Sequence, residues 1–122
     1  VSALGRLDVG QAAVVVKGRV LAVEAAEGTD AMLVRCAKLR KGGRRRGPAG
    51  VLIKAPKPGQ EERVDLPTIG PETVEMAARA GLAGIAVAAG RVLIADRDAT
   101  IAVAGEHGLF LIGQKLARDQ DV

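Results

Sequence analysis

The sequence predicts an α/β fold, a mixed β-sheet covered by helices and built from two hairpin–helix–strand repeats with a linking helix. Three observations predict it. The stretch "VVVKGRVLAVEA" (residues 14–25) recurs as "IAVAAGRVLIAD" (85–96), and both share Gly-Arg-Val-Leu. Helix signals and then a further aliphatic strand follow each copy. Finally, the 122 residues are 48% hydrophobic with 16 glycines, and Phe110 is the only aromatic residue. Such a chain builds its core from many small aliphatic contacts in short elements. At this length it is expected to form one domain, residues 1–122.

In each copy of the repeat, two aliphatic strands meet at a glycine, Gly18 or Gly90, that can take positive φ and close a hairpin. After the first, Gly28 or Thr29 can cap a helix from about Asp30 to Lys41. Its Leu33, Cys36, Ala37 and Leu39 approximate one apolar stripe. After the second, Asp98 can cap a helix from about Ala99 to His107, which Gly108 ends. Strands "GVLIKAP" (50–56) and "GLFLIGQ" (108–114) follow the helices. Between the halves, Gly70 caps a linking helix with Pro71 at its first position. Glu72 and Glu75 suit the positive helix end, and the helix stops near Gly81.

Composition excludes several function classes. A lone Cys36 rules out an internal disulfide and fits a reducing compartment. Cys36 and the single His107 share no zinc-ligand spacing, and Cys36 reads as a small core residue. The chain opens without a basic, apolar leader. Its most apolar stretch, 81–95, is too short to span a bilayer and is broken by Gly90-Arg91, so a soluble domain is expected. The net charge is +4, and Lys38, Arg40, Lys41, Arg44, Arg45 and Arg46 stand close together. On charge alone the balance favours a solvated helix end over a patch for phosphates or anionic headgroups. No nucleic-acid partner is expected, because no reading motif or aromatic stacking platform accompanies the charge.

Chemistry concentrates in "KAPKPGQEERVDLPTIGPET" (54–73). Lys54 ends a buried-looking strand and Lys57 follows it. Ligands gather at the carboxyl ends of strands in α/β folds. From Lys57 to Gly70 the periodicity lapses except for a brief extended "RVDL". A loop of that length in a compact domain is usually functional or disordered. Three prolines and Val64, Leu66 and Ile69 argue against disorder. The loop delivers Asp65 and Thr68 just before a helix N-terminus, where backbone N–H groups attract anions. Lysines, a carboxylate and a hydroxyl there suit phosphate chemistry. Read from the residues alone, the balance still favours a turn-closing Asp65 with solvated lysines. A second acidic segment, "EAAEGTDAML" (24–33), offers Glu24, Glu27 and Asp30 as a metal-binding face, and both segments should open on the same edge of the sheet. Walker, GxGxxG, HExxH and nucleophile-elbow motifs are absent.

The stretches "LDVGQAAVVVKGRVLAVEAAEGTDAML", "GVLIKAPKPGQEERVDLPTIGPETVEMAARAGLAGIAV" and "GLFLIG" closely resemble the carboxyl-terminal domain of the LpxI family. These enzymes are UDP-2,3-diacylglucosamine pyrophosphatases of lipid A synthesis. The resemblance covers nearly the whole chain. It implies metal-dependent hydrolysis of UDP-2,3-diacylglucosamine to UMP and 2,3-diacylglucosamine 1-phosphate (lipid X), at the cytoplasmic face of a Gram-negative inner membrane. It also implies that the family's essential carboxylate is Asp65, as the catalytic or Mg²⁺-binding residue. Lys54, Lys57, Gln60 and Thr68 are candidates for phosphate or sugar contacts by motif position and local chemistry. Thr29 and Asp30 are weaker candidates, for substrate and metal. The expected partners are this substrate and product, the inner-membrane surface and an amino-terminal domain that the family carries and this chain lacks, so the chain alone is expected to be inactive if substrate lies between the two. Oligomeric state is left open. The alternative from another class is a non-catalytic module that binds a nucleotide-sugar or lipid headgroup.

Overall fold

A computed structural model describes residues 12–24, 28–40, 49–56 and 67–114, without the side chains of Leu39 and Arg40. The mixed sheet and its helices are as expected. In chain order the elements are β1 (Ala12–Val16), β2 (Arg19–Val23), α1 (Thr29–Arg40), β3 (Val51–Lys54), β4 (Thr68–Ile69), α2 (Pro71–Arg79), β5 (Gly84–Ala88), β6 (Leu93–Ile94), α3 (Arg97–His107) and β7 (Phe110–Gln114). Five strands form one sheet in the order β2-β1-β3-β5-β7, and β4 and β6 form a separate two-stranded sheet. Strand β1 is antiparallel to both β2 and β3, and β3, β5 and β7 are mutually parallel. All but β1 therefore run the same way, so the carboxyl ends of β2 and β3 lie on one edge of the sheet.

The core follows from strand alternation. Val14, Leu52 and Ile85 are fully buried on one sheet face and cluster with Leu33 and Cys36 of α1 and Val74 and Ala77 of α2. Burial of each larger aliphatic side chain contributes about 1.5–3 kcal/mol. Helix α2 packs between α1 and α3. Cys36 is a buried free thiol, as expected of a small core residue.

The first repeat forms its hairpin. Lys17 (φ 52°) and Gly18 (φ 79°) are both left-handed, which suits the right-handed twist of the paired strands. The second repeat keeps the element order but not the pairing. Strand β5 bonds to β3 and β7, while β6 leaves the sheet to pair in parallel with β4. The tie is made by Leu93 N–H to Pro67 O (2.8 Å) and Ala95 N–H to Ile69 O (2.8 Å). At this turn only Gly90 takes positive φ, so the two left-handed residues of the first hairpin are not reproduced.

Helix α2 starts as expected, with Gly70 at its cap and Pro71 first. The Gly70 N–H donates to the Thr73 hydroxyl at 3.3 Å. Helix α3 starts earlier than expected, because its cap is Asp96 in a left-handed conformation rather than Asp98. Gly108, also left-handed, ends it as expected. No helix among the described residues is long and apolar enough to cross a membrane.

Candidate functional site at the carboxyl edge of the sheet

Strand β3 reads Val-Leu-Ile-Lys, and its period of two puts Lys54 on the same inward face as Leu52. Lys54 is only 7% exposed. A lysine so placed must find acceptors, since an unpaired buried ammonium is costly. Its Nζ donates to Thr29 Oγ1 at 3.1 Å and to the main-chain oxygen of Thr68 at 3.0 Å. The Thr29 hydroxyl in turn donates to the Glu24 carboxylate. Burial lowers the Lys54 pKa, with Glu24 and then Asp30 opposing the shift.

These bonds join four parts of the chain. Glu24 follows β2, Thr29 opens α1, Lys54 ends β3 and Thr68 begins β4. The described parts of the two segments expected to share one sheet edge do share it, through Lys54. Every buried polar side-chain atom among the described residues has a hydrogen-bond partner.

Outside this junction lies a polar cleft of about 490 Å³, lined by Asp30, Thr68, Gly70, Glu72, Thr73 and Asp96. Asp96 had no place in the sequence-based site. It reaches the cleft because β6 pairs with β4 and carries Ala95 against Gly70, where an added Cβ would lie 3.6 Å from that of Ala95. The sequence signal was an Asp directly ahead of a helix, but Asp98 competed for the same reading. Glu72, read only as a first-turn acid, also lines the cleft.

A larger cavity of about 840 Å³ sits elsewhere, lined mainly by aliphatic side chains that include Val87, Leu93, Ile94, Leu109 and Leu111. It holds none of the expected site residues. Strand β6 borders both spaces, through Leu93 and Ile94 on the aliphatic side and through Asp96, just past its end, on the polar side.

Of the expected site residues, Thr29, Asp30, Lys54 and Thr68 are thus brought together. Lys57, Gln60 and Asp65 lie outside the described residues, as do Glu27, Lys41 and Arg44 to Arg46 and the extended "RVDL" segment. Among the described residues, no three His, Cys, Asp or Glu side chains converge closely enough to hold a metal ion. Lys38 is exposed near the carboxyl end of α1, where a cation complements the helix dipole.

The architecture and its polar edge define an α/β domain with a cleft at a helix N-terminus, beside the carboxyl ends of two strands. The chain belongs to the LpxI C-terminal domain family, whose profile matches residues 1–112. It is 62% identical over 112 residues to the UDP-2,3-diacylglucosamine pyrophosphatase LpxI of Caulobacter vibrioides. That similarity covers 90% of this chain but 40% of the relative, so the chain spans well under half of the relative's length.

Proposed function

We propose that this chain is the carboxyl-terminal part of an enzyme that hydrolyses the pyrophosphate of UDP-2,3-diacylglucosamine in lipid A biosynthesis, giving UMP and lipid X. The observation that carries the reading is the 62% identity to a protein bearing that activity in its name. The geometry supports it. A polar cleft and an aliphatic cavity that share β6 suit a molecule that is charged at one end and acylated at the other.

In this reaction water adds across the P–O–P link. One P–O bond forms from the water oxygen, one anhydride P–O bond breaks, and the released protons pass to a base or to solvent. Asp65 is the proposed catalytic carboxylate, orienting the water or holding a metal. Lys57, Gln60 and Thr68 are the proposed phosphate or sugar contacts, backed by Lys54 and Thr29 from within the fold.

Asp30, Glu72 and Asp96 bring carboxylates to the cleft, the donor type that Mg²⁺ or a similar hard cation prefers, although no three of them converge on one point. The proposed holders are Asp65 and Asp30. A bound cation would neutralise phosphate charge and polarise a phosphoryl oxygen. The remaining part of the protein, an amino-terminal domain in this reading, would complete the cleft. The proposed working place is the cytoplasmic face of the inner membrane, with the Arg44–Arg46 segment toward anionic headgroups.

The direct test incubates the full-length protein with UDP-2,3-diacylglucosamine and Mg²⁺, with and without a chelator, and follows UMP and lipid X. Formation of both products supports the reading, and their loss on chelation supports the metal. Saturable binding without turnover would identify a non-catalytic binding module instead.

A further inference from the structure

The aliphatic cavity stands next to the polar junction, and the strand register says how closely. Lys54 of β3 is paired with Val87 of β5, and Val87 with Gly113 of β7. Val87 and Gly113 both line the cavity. One ladder row therefore runs from the Lys54 junction into the cavity wall, with neighbouring strands about 4.8 Å apart. Val87 and Gly113 are each one residue from the carboxyl end of their strand. The cavity thus lies toward the same edge of the sheet as the polar cleft, where α/β folds collect ligands.

The chemistry of the wall narrows the occupant. Among the described residues Arg97 is the only lining residue with a polar side chain. A sugar or a base needs several placed polar partners, whereas a hydrocarbon chain needs none. Leu93, Ile101 and Ile112 are 52%, 50% and 47% exposed, and all three line this one cavity. Large aliphatic side chains left half in water around a single hollow mark a binding surface. Arg97, Ile101 and Gly105 stand four residues apart, in one row along α3. The row begins with a cation beside Asp96 of the polar cleft and ends without a side chain. An anionic head with an apolar tail matches that order. Nothing in the packing requires glycine at position 105. An added Cβ there meets nothing within 4 Å, and glycine is disfavoured inside a helix.

We propose that the cavity between α3 and the β5–β7 pair holds one acyl chain of the diacylated substrate, and that Gly105 sets the length of chain it accepts. The identity of the substrate rests on the hydrolase reading; the place of the chain and the limit on its length go beyond it. Each buried methylene strengthens binding by about 4-fold. A side chain at position 105 that displaces two of them is therefore read as a loss of about 10-fold or more.

The test uses the full-length protein and UDP-2,3-diacylglucosamine carrying either decanoyl or myristoyl chains. The readout is the ratio of kcat/KM for the longer substrate to that for the shorter. Gly105→Leu and Gly105→Phe are expected to lower the ratio by about 10-fold or more, the phenylalanine variant more strongly. Ala102→Leu, exposed on the same helix and outside the cavity lining, is the control and should leave the ratio unchanged. Displacement of the apolar dye ANS by lipid X of the two chain lengths, without Mg²⁺, measures the same preference with no hydrolysis. Thermal unfolding reports whether each variant keeps its fold. If both bulky variants fail to fold, Gly105→Ala decides, with an expected fall of about 4-fold. An unchanged ratio in folded variants that turn over substrate would overturn the proposal and leave the hydrolase reading standing. An equal loss for both chain lengths would overturn it too. Lipid binding that favours the longer chain and loses that preference in Gly105→Leu, with no turnover by the wild type, would sink the hydrolase reading and uphold the cavity assignment.

Discussion

Lys54 and Thr68, 14 positions apart in sequence, are joined by a 3.0 Å bond from the lysine ammonium to a main-chain oxygen. That bond ties the five-stranded sheet to the small β4–β6 pair through Thr68, which also lines the polar cleft.

The first prediction concerns pH. Burial lowers the Lys54 pKa below its ordinary 10.5, against the raising influence of Glu24 and Asp30. Between the folded-state value and 10.5 the unfolded chain therefore binds more protons, and stability rises with pH. The contribution of the shift is complete above 10.5 and is lost as pH falls through the folded value. Urea unfolding of wild type and Lys54→Met at pH 7 and at pH 10.5 isolates this group. The stability difference should move toward the wild type at the higher pH, and a flat or opposite trend would contradict the assignment.

Backbone conformation at Gly50 is equally specific. Its φ is +95°, and an added Cβ would lie 2.6 Å from Val16 Cγ2 and 3.0 Å from Val15 O. Gly50→Ala is expected to cost about 2–4 kcal/mol, from backbone strain plus overpacking. Gly18→Ala is the control, since Gly18 has a similar φ of +79° with nothing within 4 Å. It should cost only about 1–2 kcal/mol. Denaturant midpoints for the two variants measure the steric part directly.

Thr100 is fully buried, and its hydroxyl donates to Ala95 O at 2.7 Å, with Asp96 O also at 3.0 Å. It thereby secures the left-handed cap that brings Asp96 to the cleft. Thr100→Val keeps the shape and removes the donor, at an expected cost of about 0.5–1.5 kcal/mol in urea unfolding. A change in Mg²⁺ or substrate affinity in this variant would link the cap to the cleft.

The arginine cluster bears on location. If Arg44, Arg45 and Arg46 meet the membrane, changing all three to Ser should reduce cosedimentation with anionic vesicles. At about 1 kcal/mol per charge near the surface, the loss would reach on the order of 10²-fold in partitioning. Unchanged cosedimentation would remove the membrane role.

Much of the fold was legible because it is local. The Lys17–Gly18 turn, the Gly70–Pro71 helix start and the Gly108 stop each depend on residues adjacent in sequence. The second hairpin differs from the expected one because its outcome is not local. The same Gly-Arg-Val-Leu motif stands there, but β6 finds Thr68–Ile69, and no short-range pattern announces a partner so far away. Asp96 reaches the cleft through the same distant pairing. Strand alternation places Lys54 with Leu52, toward the core, but its tie to Thr29 and Thr68 joins distant parts of the chain and has no local signal. Thr29 and Asp30 were legible as an acidic helix start, and the structure adds their link to β3 through Lys54. Asp65, to which the family resemblance assigns the catalytic role, lies outside the described residues.

Hydrolysis of UDP-2,3-diacylglucosamine by the full-length protein with Asp65→Ala, beside the wild type, is the most direct measurement of the functional account. The expected result is a fall in kcat of about 10²–10⁴-fold, with unfolding midpoint and substrate binding close to wild type. Turnover at the wild-type rate would contradict the account.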